Sequence, residues 1–367
     1  MEMDKTHTSK KSFASEIGNS SFINFQHPQT QSSIHRNFLN REFSLNEIEP
    51  NKTKVFNLSQ VHSVVYRIRQ ALPQYSPGPK LRNILLLFAL SPNLLGQEWK
   101  VDPTWLHRYV PSLSENARPA DSGCHYKPIF GEGDSDSRAL IGVSRFGELT
   151  LDSQANCESA LFNREEEIYY VLDGHGDLHY GPRTYAMRAN DFTYLPPGVK
   201  HSIANNSYST ARVLVMSFKI LASVSIGAPV AEPRIVNLDN VKEETVEGHP
   251  DSVLYKLLLG PRGGKRDAID EAYTVVSLFW MNFAPGGDNF AHHHESAEEI
   301  YLVLDGEGEM VAGGGMDGIE GRHIAKAGDA YYFRPNCTVG FYNRNKPGAE
   351  AHILAVRSRV QLPPAEE

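Results

Sequence analysis

Long apolar runs, clustered positive charge and paired cysteines are all scarce in this sequence. No window approaches the roughly 20 apolar residues that a membrane helix needs, which argues against stable insertion through a helix. Acidic residues outnumber basic ones, 44 to 36, for a formal net charge of -8. Nucleic-acid binding needs Lys and Arg gathered against phosphates, so that class is excluded too. Neither a helix-turn-helix nor a basic helix is visible. Cysteine is limited to Cys124, Cys157 and Cys337. None forms a C-x-x-C pair, which excludes a zinc ribbon or a thioredoxin-type motif. An odd count leaves at most one disulfide within the chain, and nothing in the sequence requires it. Helical periodicity is missing past residue 120, apart from one turn near Asn240.

Turn chemistry, by contrast, is plentiful. Glycine occurs 29 times and proline 22 times in 367 residues. With an ordinary apolar content of 40%, this predicts an all-β globular chain. Expected strands include Ala139–Val143, Glu167–Leu172, Phe192–Leu195 and Arg212–Phe218. A second set is Thr274–Phe283, Glu299–Leu304, Ala330–Phe333 and His352–Val356.

The N-terminal part differs from the rest. Residues 1–79 are polar and lack sustained periodicity, with one weakly amphipathic piece at 55–72. They read as largely disordered, or as an extension placed upstream of the true start. Residues 80–96 then run from a basic head through Ile84-Leu85-Leu86-Leu87-Phe88-Ala89-Leu90 to small and polar residues. That is the layout of a secretory signal peptide; the alternative is a buried apolar segment behind a genuine tail. The first reading implies a periplasmic or secreted protein, the second a cytoplasmic one. An arm carrying Trp99, Trp105 and Tyr109 follows and is expected to pack across a β-domain.

The chain repeats itself. Glu166-Glu167-Ile168-Tyr169-Tyr170-Val171-Leu172-Asp173-Gly174 recurs as Glu298-Glu299-Ile300-Tyr301-Leu302-Val303-Leu304-Asp305-Gly306. Further on, Asp191, Tyr194, Pro197 and Asn205 recur as Asp329, Tyr332, Pro335 and Asn343, and the Gly-rich insert at 313–318 accounts for the wider spacing. Two copies of one β-unit follow. The divide falls between Ile226 and Val236, giving domains at 97–230, with the arm, and 231–362.

The second copy contains Gly286-x5-His292-x-His294-x4-Glu299-x6-Gly306. Side chains alternate along a strand, so His292 and His294 share a face. Glu299 opens the next strand and reaches the same point. Two imidazoles and one carboxylate on one side of a metal are the donors used for non-haem Fe(II), with positions left for ligand or oxygen. The same donors hold Mn, Zn, Ni or Cu. A hydrogen-bonded histidine cluster is the bland alternative.

This spacing resembles the first motif of the cupin superfamily. Pro196-x-Gly198-x-x-His201-x-x-x-Asn205 in the first copy resembles the second motif, with Asn190 where a glycine usually leads. The resemblance spans about residues 125–360 and extends to bacterial two-barrel cupins, a likeness that carries no reaction. It implies a double cupin, two jelly-roll β-barrels each with a small-molecule pocket, and often a homodimer.

The departures are informative. Ala160 and Phe162 stand in the first copy where His292 and His294 stand in the second. Only Glu167 and His201 remain of four family ligands, so the first barrel is expected to be metal-free. In the second copy Val339 replaces the fourth ligand. Cys337 and His352 are weaker candidates to fill in, and Tyr332 is a further candidate pocket residue beside Glu167 and His201. Arg322 and Arg357 are candidates to meet an acidic substrate, although a solvated arginine is the commoner case. The resulting expectation is a metal-dependent, dioxygenase-like oxidoreductase acting on a small organic molecule, with Glu299 as ligand and base. The competitors are a non-oxidative lyase or isomerase and a secreted binding protein without catalysis.

Overall fold

The computed structural model describes residues 103–117, 123–314, 320–344 and 348–362. The signal-like stretch at 80–96 and the polar region before it lie outside these residues. Two large sheets and two small ones make up the fold. The first large sheet orders its main strands as Asp191–Leu195, Glu165–Asp173, Ala211–Lys219, Val143–Leu151 and Cys124–Gly131. The second repeats that order with Asp329–Phe333, Ala297–Asp305, Ala351–Arg359, Val275–Phe283 and Val253–Pro261. Each is faced by a three-stranded sheet: His175–Tyr180 with its neighbours in the first unit, Glu307–Gly314 with its neighbours in the second. Two jelly-roll barrels result.

Most expected strands form, nearly all with wider limits; Thr274–Phe283 starts one residue later, at Val275. The exception is Ala139–Val143. Ser137–Ala139 is a 3-10 turn, and the strand begins at Val143 and runs to Leu151. Its backbone is claimed by another partner: the Glu298 carboxylate accepts from the N–H groups of Ile141 and Gly142 at 3.1 and 2.8 Å. A Cβ on Gly142 would sit 2.8 Å from Glu298 Oε1, so a larger residue here would push the carboxylate back.

Three apolar cores explain why several strands are buried on both faces. One fills the first barrel around Leu151, Val171 and Val213. A second fills the other barrel around Phe283, Val303 and Ile353. The third lies between the large sheets and draws on both, including Phe146, Ile168, Tyr194, Leu278, Ile300 and Tyr332. Asp191–Leu195 and Asp329–Phe333 are therefore buried throughout instead of alternating.

Strand exchange ties the units together. Trp105–Tyr109, at the N-terminal end, pairs with Asp329–Phe333 of the second sheet. Ile235–Asn237, beyond the first barrel, pairs back onto Asp191–Leu195 of the first.

Candidate metal centre

His292 and His294 lie in an irregular segment whose backbone is held at both residues. His292 exchanges N–H···O bonds with Val339 at 2.9 and 2.8 Å, and the Asn336 N–H donates to the His294 carbonyl at 2.8 Å. Glu299 sits near the start of the strand Ala297–Asp305. The donor atoms of His292, His294 and Glu299 all lie within 4.8 Å of one another. His293 between them is exposed.

The chemistry of the donors fits a divalent metal ion. The Nδ1–H of His292 donates to the Phe290 carbonyl at 2.9 Å, which leaves Nε2 as the free lone pair. Burial holds the His292 pKa below its ordinary value of 6.5, so the ring is neutral, as a ligand must be. Burial alone would push the Glu299 carboxyl up. The charges of His294 and Arg357 and a bond from His294 outweigh it and hold the pKa below 4.5. Glu299 Oε2 is buried, and its near neighbour is His294 Nε2 at 3.2 Å, too poorly aligned to satisfy it fully. A buried, ionised oxygen left in that condition is what a cation satisfies.

Other candidates fall elsewhere. The Tyr332 hydroxyl donates to Glu298 at 2.8 Å in the core between the sheets, not in the second barrel's cavity. Cys337 is buried with its thiol 3.2 Å from the Gly313 carbonyl, because its strand turns that side chain into the barrel core. His352 stacks on Trp280 at 4.6 Å and faces Asp305 and Glu350 at 3.8 Å, on the opposite side of its strand from the metal donors. Neither supplies a fourth ligand here. Arg322 pairs with Glu309 at the surface.

Two residues near the triad carry no motif. His249, in the turn before the strand Val253–Pro261, has its ring centroid 5.9 Å from that of His292. Tyr255 packs edge-on against His249 at 5.2 Å, and its hydroxyl is buried without a hydrogen-bond partner. Burial, and secondarily the Glu299 charge, pushes the Tyr255 pKa up. A motif search has no way to find residues that lie so far from the His-x-His segment in sequence.

In the first barrel His201 is tied off. Its Nδ1 faces the Val199 carbonyl at 2.9 Å and its Nε2 faces Glu167 at 2.6 Å. The other Glu167 oxygen accepts from Arg145 at 3.1 Å. Arg145 also bonds Glu132, Glu165 and Ser217 and lies over the Phe162 ring at 4.1 Å. Ala160 pairs with His201 as His292 pairs with Val339, which fixes the correspondence between the copies. A cavity of about 690 Å³ lies here, lined in part by Glu167, Arg145 and Phe162. Its guanidinium is already neutralised by carboxylates.

The second barrel arranges the same parts differently. Arg145 stands opposite Ser217 in the first barrel, whereas in the second Arg357 stands opposite Ser277. The guanidinium has moved to the partner strand of the same pair. Arg357 Nη1 lies 3.2 Å from the ring nitrogens of His294. Among the described residues it forms no salt bridge within 4 Å, and Ala297 occupies the place of Glu165.

The family described as "Cupin domain" matches residues 148–217 and 279–357. No curated protein matches. Among solved structures, a putative glyoxylate induced protein from Pseudomonas aeruginosa is 15% identical with a TM-score of 0.55, covering 71% of this chain and 92% of its own. Lactobacillus farciminis oxalate decarboxylase in a formate complex is 13% identical with a TM-score of 0.52, covering 70% and 86%. A Bacillus subtilis oxalate decarboxylase described with Mn(II) centres is 14% identical with a TM-score of 0.50, covering 70% and 78%. At these identities the likeness shows the fold.

Proposed function

Because the chain is a two-domain protein of the cupin superfamily, we propose that it is a metal-dependent, dioxygenase-like enzyme acting on a small organic anion in the second barrel. His292, His294 and Glu299 would hold the ion, iron in this reading. A bound redox metal of this type supplies positions at which oxygen and substrate meet.

Arg357 is the observation that carries the substrate class. A half-buried guanidinium beside the donors, with no carboxylate of the described residues within 4 Å and only Glu299 opposite it on the next strand, can receive a further carboxylate group. The first barrel shows the contrast, since Arg145 is already engaged by Glu132, Glu165 and Glu167. Substrate binding at Arg357 would draw its Nη1 from the His294 ring and free that imidazole for the metal. Glu299, held ionised, serves as ligand and as the base nearest the bound substrate.

A redox-silent lyase is the second reading, with the metal acting as a Lewis acid. It is supported by the fold shared with the two oxalate decarboxylases, one of them described with Mn(II) centres. Elemental analysis of the full chain beside His292→Ala/His294→Ala, followed by oxygen uptake against a panel of small carboxylates, separates the readings. Iron near one equivalent with carboxylate-dependent oxygen uptake supports the first. Manganese or zinc with carboxylate turnover but no oxygen uptake supports the second. Metal content equal in both proteins sinks the site.

We also propose that the protein works outside the cytoplasm. The signal-like layout of residues 80–96 supports this, as does the disulfide between Cys124 and Cys157, a bond that persists in oxidising compartments. Fractionation of cells expressing the full-length protein tests it, and purely cytoplasmic protein would overturn it.

A further inference from the structure

We infer that His249 is the fourth protein ligand of the second barrel, supplied by a turn and not by the strand position that the first barrel uses. The inference rests on the metal reading of His292, His294 and Glu299. In the first barrel the strand residue facing Ala160 is His201; in the second, the residue facing His292 is Val339, buried in the core and without a donor atom. The imidazole missing at Val339 is replaced from another direction.

The turn holds His249 firmly. Its N–H donates to the Val246 carbonyl at 3.0 Å, and Gly248 takes a φ of +83°, the left-handed conformation that such a turn needs at its third residue. Val246 packs against the second barrel's core and anchors the turn from below. Pro250 follows directly, and its carbonyl accepts from the Val253 N–H at 3.2 Å as the next strand begins. The His249 Nδ1 lies 3.4 Å from the Glu247 carbonyl, which leaves Nε2 as the atom available to a metal.

One ring separation brings His249 within reach of the triad; its donor nitrogens lie outside the set that falls within 4.8 Å of one another, so sharing the ion takes a closing movement of the His249 side chain. Two imidazoles on one metal, each bound at about 2.1 Å, place their ring centroids about 5–6 Å apart. His292 and His294 stand 5.0 Å apart with planes at 76°, and His249 and His292 stand 5.9 Å apart with planes at 85°. His352 and Cys337, the other candidates for the fourth position, have no such relation to the triad.

The test is a count of bound imidazoles. The full chain is loaded with one equivalent of Cu(II), and nitrogen couplings are read by pulsed electron paramagnetic resonance. Three imidazoles are expected in the wild type and two in His249→Gln, with metal affinity about tenfold lower or weaker still in the variant. Two imidazoles in the wild type, unchanged by the substitution, would overturn the inference while leaving the triad intact. The wild-type count decides alone if the variant fails to fold. A signal that survives unchanged in His292→Ala/His294→Ala would overturn the triad itself, and the inference with it.

Discussion

Glu166 and Glu298 are the same residue of two repeats, and each carboxylate reaches across to the other barrel. Glu166 accepts from the backbone N–H groups of Tyr273, Thr274 and Val275, at the head of a second-barrel strand, and from the Tyr194 hydroxyl. Glu298 accepts from Ile141 and Gly142, ahead of a first-barrel strand, and from the Tyr332 hydroxyl. Both are buried, so each carboxylate serves donors that have no water to turn to.

Glu166→Ala strands three backbone donors and one hydroxyl. We expect a loss of about 3 kcal/mol or more, at about 1–3 kcal/mol for each donor left unpaired. Denaturant unfolding read by fluorescence measures it. A midpoint within error of the wild type would show that solvent replaces the carboxylate.

Arg357→Ala is expected to raise KM for a carboxylate substrate about tenfold to a hundredfold, from the loss of about 1.5–3 kcal/mol of charge-assisted hydrogen bonding. Metal content should not change. Arg357→Lys should recover part of the loss, because charge is kept while the planar fork is not. Steady-state kinetics beside elemental analysis separate this from damage to the metal site.

Metal loading should survive acidification further than at an ordinary histidine site. A proton competes with the ion for Nε2 of His292, and burial sets that pKa below 6.5. Loading therefore persists as pH falls past 6.5 and is lost only as pH passes down through the lowered value. Glu299, also lowered, stays ionised over that window. Equilibrium dialysis across pH gives the midpoint, and a midpoint above 6.5 contradicts the reading.

The wild-type chain should bind one metal ion, not two. Glu167 and His201 bond each other and Arg145 occupies the second carboxylate oxygen, so the first barrel presents no donor set. Accordingly, Glu167→Gln should leave metal content at the wild-type level, whereas Glu299→Gln should abolish it.

Cys124→Ser/Cys157→Ser removes a crosslink spanning 33 positions, which should cost about 3–4 kcal/mol by loop-closure entropy. Calorimetry against the wild type measures it. In the wild type, thiol titration after denaturation should find Cys337 alone among the three cysteines.

Much of the architecture was legible in the chain. Repeated Glu-Ile-Tyr segments marked two units, and turn residues bounded most strands. The site was readable only where its residues are close in sequence. The His-x-His spacing and a carboxylate opening the next strand sufficed to name His292, His294 and Glu299. The turn that carries His249 beside His292 gives no periodic signal. Trp105–Tyr109 was recognisable as an arm, but nothing local says that its pairing partner is Asp329–Phe333.

The sequence by itself determined the repeat and the all-β character, and it put forward the three candidate donors. Those follow from side-chain alternation and short spacing, which act between neighbours along the chain. Tertiary structure decided whether a charge is already satisfied. Arg145 and Arg357 look alike as letters, yet one meets three carboxylates and the other faces a histidine of the metal triad. That difference arises from strands distant in sequence, because Coulomb and hydrogen-bond partners are chosen by proximity in space.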